Sequence, residues 1–371
     1  MDLCIQTSDK TLRVAQIDTG VPGAITLPAL EEFLHIIDNE PTTFLDSGIK
    51  KMISNISKDP SLWALMITQS KRDEIISTAV RSIKGVMIDA DNQNYLASWM
   101  KIREFLDSLG RISVVPKAWS QLREKFPAMQ GPSFSASVMT GRLPWTIYST
   151  AGSSTGRLTV SSGPNFLIAP AEARTALRPS FPDSDIVIID FSSMEPRVAL
   201  MATGGDAGKG DVYRHLMKVC GIEDRAAAKL ATISALYGAS ESRLIETTGS
   251  RARAKSIIES VRNFFNVTVL EDRLEQQAQT GMIRNFFGRP LHKVVKTPRL
   301  RVNHFSQSTA AELAVLLFID LCSKVRTLRP LLVIHDALIA EIPRSDFRDL
   351  EVACQKLEFK GATFPTKMEV I

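Results

Sequence analysis

Asp190 and Asp336 are the residues whose type and setting first suggest chemistry. Ile186-Val187-Ile188-Ile189 runs into Asp190, and Leu331-Leu332-Val333-Ile334 runs into His335-Asp336. Short β-branched and apolar runs of this kind read as buried strands, so each aspartate is delivered at a strand end. Hard divalent cations want anionic oxygen ligands. Two carboxylates from different strands could hold a pair of ions ~4 Å apart, the arrangement for in-line phosphoryl or nucleotidyl transfer. An aspartate after a strand is also an ordinary turn residue or helix cap, so the pair needs company before it means anything.

Arg225, Lys229, Ile233 and Tyr237 recur every fourth residue, which lays them along one slowly rotating helix face. The two cations could meet a triphosphate and the ring could stack on a base or sugar. A solvated basic turn followed by a core tyrosine would leave the same pattern. From Gln276 to Ala311 there is no Asp or Glu, but Arg284, Arg289, Lys293, Lys296, Arg299 and Arg301 occur with His292 and His304. A one-sign block suits an anionic partner such as a nucleic-acid backbone, or a solvated face. Phe286-Phe287-Gly288-Arg289-Pro290 inside it reads as a turn.

These groups must be positioned by the elements around them. Residues 1 to about 145 read as mostly helical, with Leu96 to Leu109 amphipathic and Gly110 as its expected C-cap. Pro132 to Thr159 reads as an irregular connection. After the Asp190 strand the spacing predicts helices over Arg225–Leu236, ended by Gly238, and over Arg251–Phe265, Leu270–Gln279 and Gln307–Val325. Leu338–Ile342, ended by Pro343, makes a hairpin with the strand before Asp336, and a last strand covers Phe364–Ile371. The order is that of an α+β core interrupted by a helical insertion.

The 371 residues suffice for two or three domains. With 44% apolar and 23% charged residues, the composition excludes a disordered, collagenous or rod-like chain. Lys+Arg 45 against Asp+Glu 40 gives +5, a mild excess whose placement matters more than its size. Cys4, Cys220, Cys322 and Cys354 are far apart with no C-x-x-C pair, which suits free thiols in a reducing, cytoplasmic setting. The apolar stretch Ala314–Ile319 stops at Asp320, short of the ~18 residues of a membrane span, and Met1-Asp2-Leu3 lacks a secretory flank.

Asp190-Phe191-Ser192-Ser193-Met194-Glu195-Pro196-Arg197 resembles motif A of the family A, DNA polymerase I-like, DNA polymerases. Arg225-x3-Lys229-x3-Ile233-x3-Tyr237-Gly238 resembles their motif B, and His335-Asp336 their motif C. Thr155-Gly156-Arg157-Leu158 with Pro164-Asn165-Phe166, then Asn303-x3-Gln307-Ser308-Thr309-Ala310-Ala311-Glu312, and the closing strand follow in the family's order. The resemblance covers roughly residues 150 to 371.

The resemblance implies a right-hand fold with an antiparallel-sheet palm over 146–205 and 299–371. It implies helical fingers over 206–298 and a short helical thumb within 1–145. It implies template-directed addition of deoxynucleoside triphosphates to a primer 3′ end, with two Mg2+ ions for which Mn2+ can substitute. Asp190, Asp336 and the backbone carbonyl of Phe191 are the implied metal ligands. Arg225 and Lys229 grip the triphosphate, and Lys229 protonates the pyrophosphate. Glu195 and Tyr237 exclude a ribose 2′-hydroxyl, and Ile233 and Tyr213 also face the nucleotide. Arg157, Asn303, Gln307 and His335 match positions contacting the primer–template, where the minor groove offers similar acceptors for every correct pair.

Departures from the family pattern carry expectations of their own. Ala337 stands where motif C has a second carboxylate, and Glu341 is not its replacement, being ~17 Å further along a strand and on the face opposite Asp336. Ile233 replaces a Phe or Tyr, which predicts poor dideoxynucleotide incorporation. Tyr213 replaces a triphosphate-binding histidine and keeps one hydroxyl donor without charge. No proofreading exonuclease is expected, since Asp18-Thr19-Gly20 lacks the second acid of a D-x-E motif. A processivity factor or separate exonuclease is conceivable, and no membrane partner is expected. The competing readings are a single-subunit RNA polymerase-like enzyme, against which Glu195 argues, and a catalytically weak primer–template binder.

Overall fold

Strand and helix signals alternate as the sequence predicts from Asp185 onward, whereas the N-terminal third holds more sheet than its composition suggests. The computed structural model describes residues 2–6, 11–16, 23–56, 66–136, 140–237, 242–294 and 296–371. Asp18-Thr19-Gly20, Gly238 and the side chains of Cys4 and Arg299 lie outside what it describes. Two compact units are present, one of Met1–Ser153, Leu158–Pro170 and Phe287–Pro290, the other of Ser154–Arg157, Ala171–Phe286 and Leu291–Ile371.

The first unit opens with a three-stranded sheet. β1 (Asp2–Gln6) pairs antiparallel with β2 (Thr11–Gln16) and parallel with β3 (Gly23–Ile25). Helices α1 (Leu27–Asp38), α2 (Ser47–Ile56), α3 (Gln69–Val86), α4 (Ala90–Ser108) and α5 (Pro116–Lys125) follow. The stretch expected to be an irregular connection contains a hairpin, β4 (Ile147–Ser149) with β5 (Thr159–Ser162). Its Ser, Thr and Gly content hid the strands, because β4 and β5 are only three and four residues long. Leu109 is extended at the end of α4 (φ −54°, ψ 135°), so Gly110 supplies no left-handed cap there. Asp89 instead caps the start, accepting from the Asp91 amide at 2.8 Å.

Phe33, Tyr95 and Trp99 form the centre of this unit's core, with ring centroids 5.9 and 5.3 Å apart. The Glu32 carboxylate accepts from Arg103 Nη1 at 3.3 Å, Ser149 Oγ at 2.9 Å and the Ala151 amide at 3.1 Å, tying α1, α4 and the hairpin together. Arg289 is buried here, donating to Tyr95 Oη and the Thr150 carbonyl at 2.8 Å each. Gly288 turns the chain into it at φ +96°, where an added Cβ would meet the Asp91 carbonyl oxygen at 3.1 Å.

The second unit is built on a four-stranded antiparallel sheet. Its strands are β6 (Ser184–Phe191), β7 (Arg329–Ile334), β8 (Ala337–Pro343) and β9 (Thr366–Val370), in the order β9-β6-β8-β7. Helices α6 (Met194–Ala202), α7 (Val212–Val219), α8 (Arg225–Tyr237), α9 (Ser242–Thr248), α10 (Arg251–Phe264) and α11 (Val267–Gln279) lie between β6 and the long α12 (Pro298–Lys324). α13 (Phe347–Cys354) connects β8 to the last strand. Alternation along β6 puts Val187, Ile189 and Phe191 inside and leaves Asp190 on the open face. Phe191 packs on Phe318 of α12 with centroids 5.1 Å apart. Burying a residue such as Phe318, Leu332 or Leu338 contributes about 1.5–3 kcal/mol.

α12 begins nine residues before its expected start, because Pro298 is preorganised for the first turn and the mixed stretch Arg299–Ser306, with Val302 and Phe305 buried, carries no breaker. Its stretch Leu300–Lys324 is long and apolar enough to cross a membrane by length and composition, a length the six-residue run Ala314–Ile319 did not suggest, and 67% of its apolar 18-residue window is buried inside the protein. It serves as a core helix, which explains an apolar character reaching nearly all round it.

Candidate active site

The register of three strands places the two aspartates. Asp190 at the end of β6 pairs with Ala337 at the start of β8, one residue beyond Asp336, and the Phe191 amide donates to the Asp336 carbonyl at 3.2 Å. The link between β7 and β8 is His335-Asp336, and His335 has φ +56°. A non-glycine residue in the left-handed region is uncommon and persists where the surroundings hold it. Ser193, three residues after Asp190, has the same conformation at φ 59°, ψ 49°, and turns the chain from β6 into α6. Arg197 locks that corner: it is 2% exposed and donates from Nε to the Ser192 carbonyl at 2.9 Å, and from Nη1 to the Gly208 carbonyl at 2.6 Å and the Thr363 carbonyl at 3.1 Å.

A cavity of about 650 Å³ opens between this sheet edge and α8. Asp190, Phe191, Glu195 and Asp336 line one side, and Tyr213, Arg225, Lys229, Ile233 and Tyr237 the other. The every-fourth-residue pattern therefore faces the carboxylates. Asp224 caps the start of α8 by accepting from the Ala227 amide at 2.8 Å, while Ala228, Ala231 and Ala235 on the far side are buried against α7 and α10.

Burial, reinforced by the charge of Asp336, pushes the Asp190 carboxyl up to about 6. Burial likewise raises Asp336. Two carboxylates that resist ionising side by side are a fitting donor set for a hard cation, which relieves both costs at once. Among the described residues no group of three or more His, Cys, Asp or Glu could hold a metal ion, in keeping with Ala337 at the motif C position. The fitting donors are the two aspartates, with the backbone of Phe191 beside them.

Glu195 is engaged from two sides. Tyr237 Oη donates to its Oε2, and Arg157 Nη2 donates to its Oε1 at 2.5 Å. Burial first, and then the Glu195 charge, raise the Tyr237 phenol far above its ordinary value, so it remains a hydroxyl donor. Arg225 is held by Asp211, Nε to Oδ2 at 2.7 Å, with its guanidinium over the Tyr213 ring at 5.0 Å. Burial works to raise the Asp211 carboxyl, but the bonds from Arg225 and from the Tyr213 and Arg214 amides outweigh it and hold it low. Tyr213 is 8% exposed, and burial raises its phenol above the ordinary value while Ser193 works against that rise. Its ring is a platform under Arg225 on the cavity wall.

The structure does not place every expected residue on this cavity. Asn303 and Gln307 stand one turn apart on α12, and Asn303 Oδ1 is buried without a partner. Arg157 reaches the cavity through Glu195, and His335 adjoins Asp336 from an exposed position. In the basic stretch, Arg289 is internal and Arg301 is paired with Glu275, which precedes the stretch in sequence. Those two cations serve the fold, so the block is less in need of an anion than its sequence suggests.

Glu341 does share a face with Asp190, because Ala337, Ile339 and Glu341 pair with Asp190, Ile188 and Ile186. The opposite-face expectation counted from Asp336, which belongs to the turn and not to the strand. Glu341 is still no substitute for a carboxylate at 337: it lies ~13 Å along the strand, is 1% exposed, and accepts from the Ser180 and Phe181 amides at 3.1 and 2.9 Å. Asp211, Arg197 and Lys367 were missed from the sequence. The capping pattern of Asp211 ahead of α7 and the alternation of the last strand were the available signals.

The family model for DNA polymerase family A matches residues 92–370, three quarters of the chain. The chain belongs to DNA polymerase family A. A family A polymerase is a template-directed DNA polymerase, a nucleotidyltransferase, and such enzymes use divalent metals generally. No curated protein matches it in sequence. Among solved structures this polymerase is similar to the polymerase domain of Pol1 from M. smegmatis, solved in complex with DNA primer–template and dNTP. The TM-score is 0.66 at 13% identity, covering 94% of this chain and 82% of that one. The likeness is one of fold, which is the α+β right hand of this polymerase family.

Proposed function

We propose that this family A polymerase extends a primer 3′ end on a DNA template with deoxynucleoside triphosphates, using the cavity between the β6–β8 sheet edge and α8. The observation that carries the reading is the convergence of Asp190 and Asp336 with Arg225, Lys229 and Tyr237 on one cavity. On this reading residues 146–205 and 299–371 form the palm, 206–298 the fingers, and the thumb lies within 1–145.

Asp190, Asp336 and the Phe191 carbonyl would hold two Mg2+ ions, or Mn2+ in their place. Bound there, the ions would supply a Lewis acid for the primer hydroxyl and a counter-charge for the triphosphate. Arg225, oriented by Asp211 and Tyr213, offers its free nitrogens to phosphate oxygens, and Lys229 one turn along binds the same group and passes a proton to the departing pyrophosphate. Ile233 and Tyr237 continue the face toward sugar and base. The Glu195–Tyr237 bond fills the space a 2′-hydroxyl would need, which favours deoxynucleotides over the ribonucleotides of an RNA polymerase-like enzyme. Arg157, Asn303, Gln307 and His335 contact the primer–template.

The reaction runs without a proofreading exonuclease within these 371 residues, in a reducing cytoplasmic setting, with or without a processivity factor or a separate exonuclease. Ala337 favours one second reading, a primer–template binder of low catalytic rate. Extension of a labelled primer with Mg2+ or Mn2+, beside Asp190→Ala and Asp336→Ala, tests both. Extension abolished in each variant supports the polymerase reading. Tight binding of primed DNA without extension in either metal supports the binder.

A further inference from the structure

β6 is flanked by β9 and β8, and the register makes Lys367, Asp190 and Ala337 one row across three strands. Directly opposed residues of antiparallel strands share a face, with Cβ atoms about 4.5–5.5 Å apart. Lys367 is exposed on an edge strand, lines the same cavity as both aspartates, and its charge acts on Asp190. Asp190 thus has a cation on one side and a methyl group on the other.

Asp190, Asp336 and Glu195 set against Lys367 and the Arg157 that pairs with Glu195 leave this side of the cavity at a net charge of −1, and Arg174 acts on Asp190 as a further cation. A free divalent cation gains less there than the two carboxylates alone would give, because Lys367 repels it and position 337 adds no carboxylate. A cation already bound to a nucleoside triphosphate arrives as a net anion, which Lys367 attracts together with Arg225 and Lys229 from the α8 side. Resting on the reading that Asp190 and Asp336 hold the cations, we propose that Lys367 is a specificity-determining residue. It disfavours free divalent cations at Asp190 and favours cations delivered on the nucleoside triphosphate.

The test compares wild type with Lys367→Met, Lys367→Glu and Lys367→Arg in two equilibria. Free Mn2+ binding to nucleotide-free protein is read by electron paramagnetic resonance, and Mg2+·dATP binding to protein on a dideoxy-terminated primer–template by calorimetry. Removing one unit charge beside a divalent ion is expected to tighten free Mn2+ binding roughly five- to twentyfold in Lys367→Met. Lys367→Glu should tighten it further, both should weaken Mg2+·dATP several-fold, and Lys367→Arg should leave both near wild type. Opposite-sign shifts are the signature that loss of packing would not produce. Shifts of the same sign, or no change in Mn2+ affinity, overturn the proposal. Asp190→Asn in the Lys367→Met background distinguishes the underlying reading: if tight Mn2+ binding survives it, the cation is not held by Asp190 and the active-site reading fails.

Discussion

Asp190 shows how a single carboxyl carries a functional trade-off. Held near pH 6 against an ordinary 3.8, it binds its proton more tightly in the folded chain than in the unfolded one. Its contribution to stability is complete below about pH 3.8 and is lost as pH rises through about 6. Asp190→Asn is therefore expected to stabilise the cation-free protein at pH 7.5 and much less at pH 4.5, as read by thermal denaturation in chelator at both pH values. Saturating Mg2+ should shrink the gap at pH 7.5. Glu195 supports a second prediction: Glu195→Ala should raise ribonucleotide use relative to deoxynucleotide use by about ten- to a hundredfold, measured as the ratio of kcat/KM values. Wild-type preference for ribonucleotides would refute the gate.

At the scale of elements, the α8 face works because other elements hold it. Asp211 at the start of α7 fixes Arg225, and the Tyr213 ring lies beneath it. Asp211→Asn should raise KM for dNTP several-fold with a smaller change in kcat, since it loosens a binding group without touching the reacting atoms. The β6–α6 corner depends on Arg197, a buried cation whose partners are backbone carbonyls. Arg197→Met leaves those carbonyls unsatisfied and is expected to cost about 3 kcal/mol or more. Chemical denaturation gives the number, and a cost within experimental error would show that water replaces the guanidinium.

For the whole molecule, part of the basic excess is committed to the fold. Arg289 and Arg301 are tied into the two units, while Lys293 and Lys296 are exposed. Primer–template affinity should fall log-linearly with salt, and Lys293→Ala and Lys296→Ala should each reduce that slope by about one. Arg301→Ala should lower the melting temperature instead. Equal slopes for all three proteins would place the nucleic acid elsewhere.

Local signals sufficed for the strands leading to Asp190 and Asp336, the α8 face, the closing strand and the family motifs, because alternation, four-residue spacing and short-range order are written in neighbouring residues. The β4–β5 hairpin and the extra turns of α12 were less legible, since strands of three and four residues and a helix start of mixed polarity give weak periodicity. Tertiary structure alone decided what depends on register and on partners distant in sequence. It placed Lys367 and Ala337 on either side of Asp190, engaged Glu341 with two amides, buried Arg289, and laid Tyr213 under Arg225. A side chain's charge is fixed by its type, but whether that charge meets a cation, an amide or solvent is fixed by which strand lies beside it.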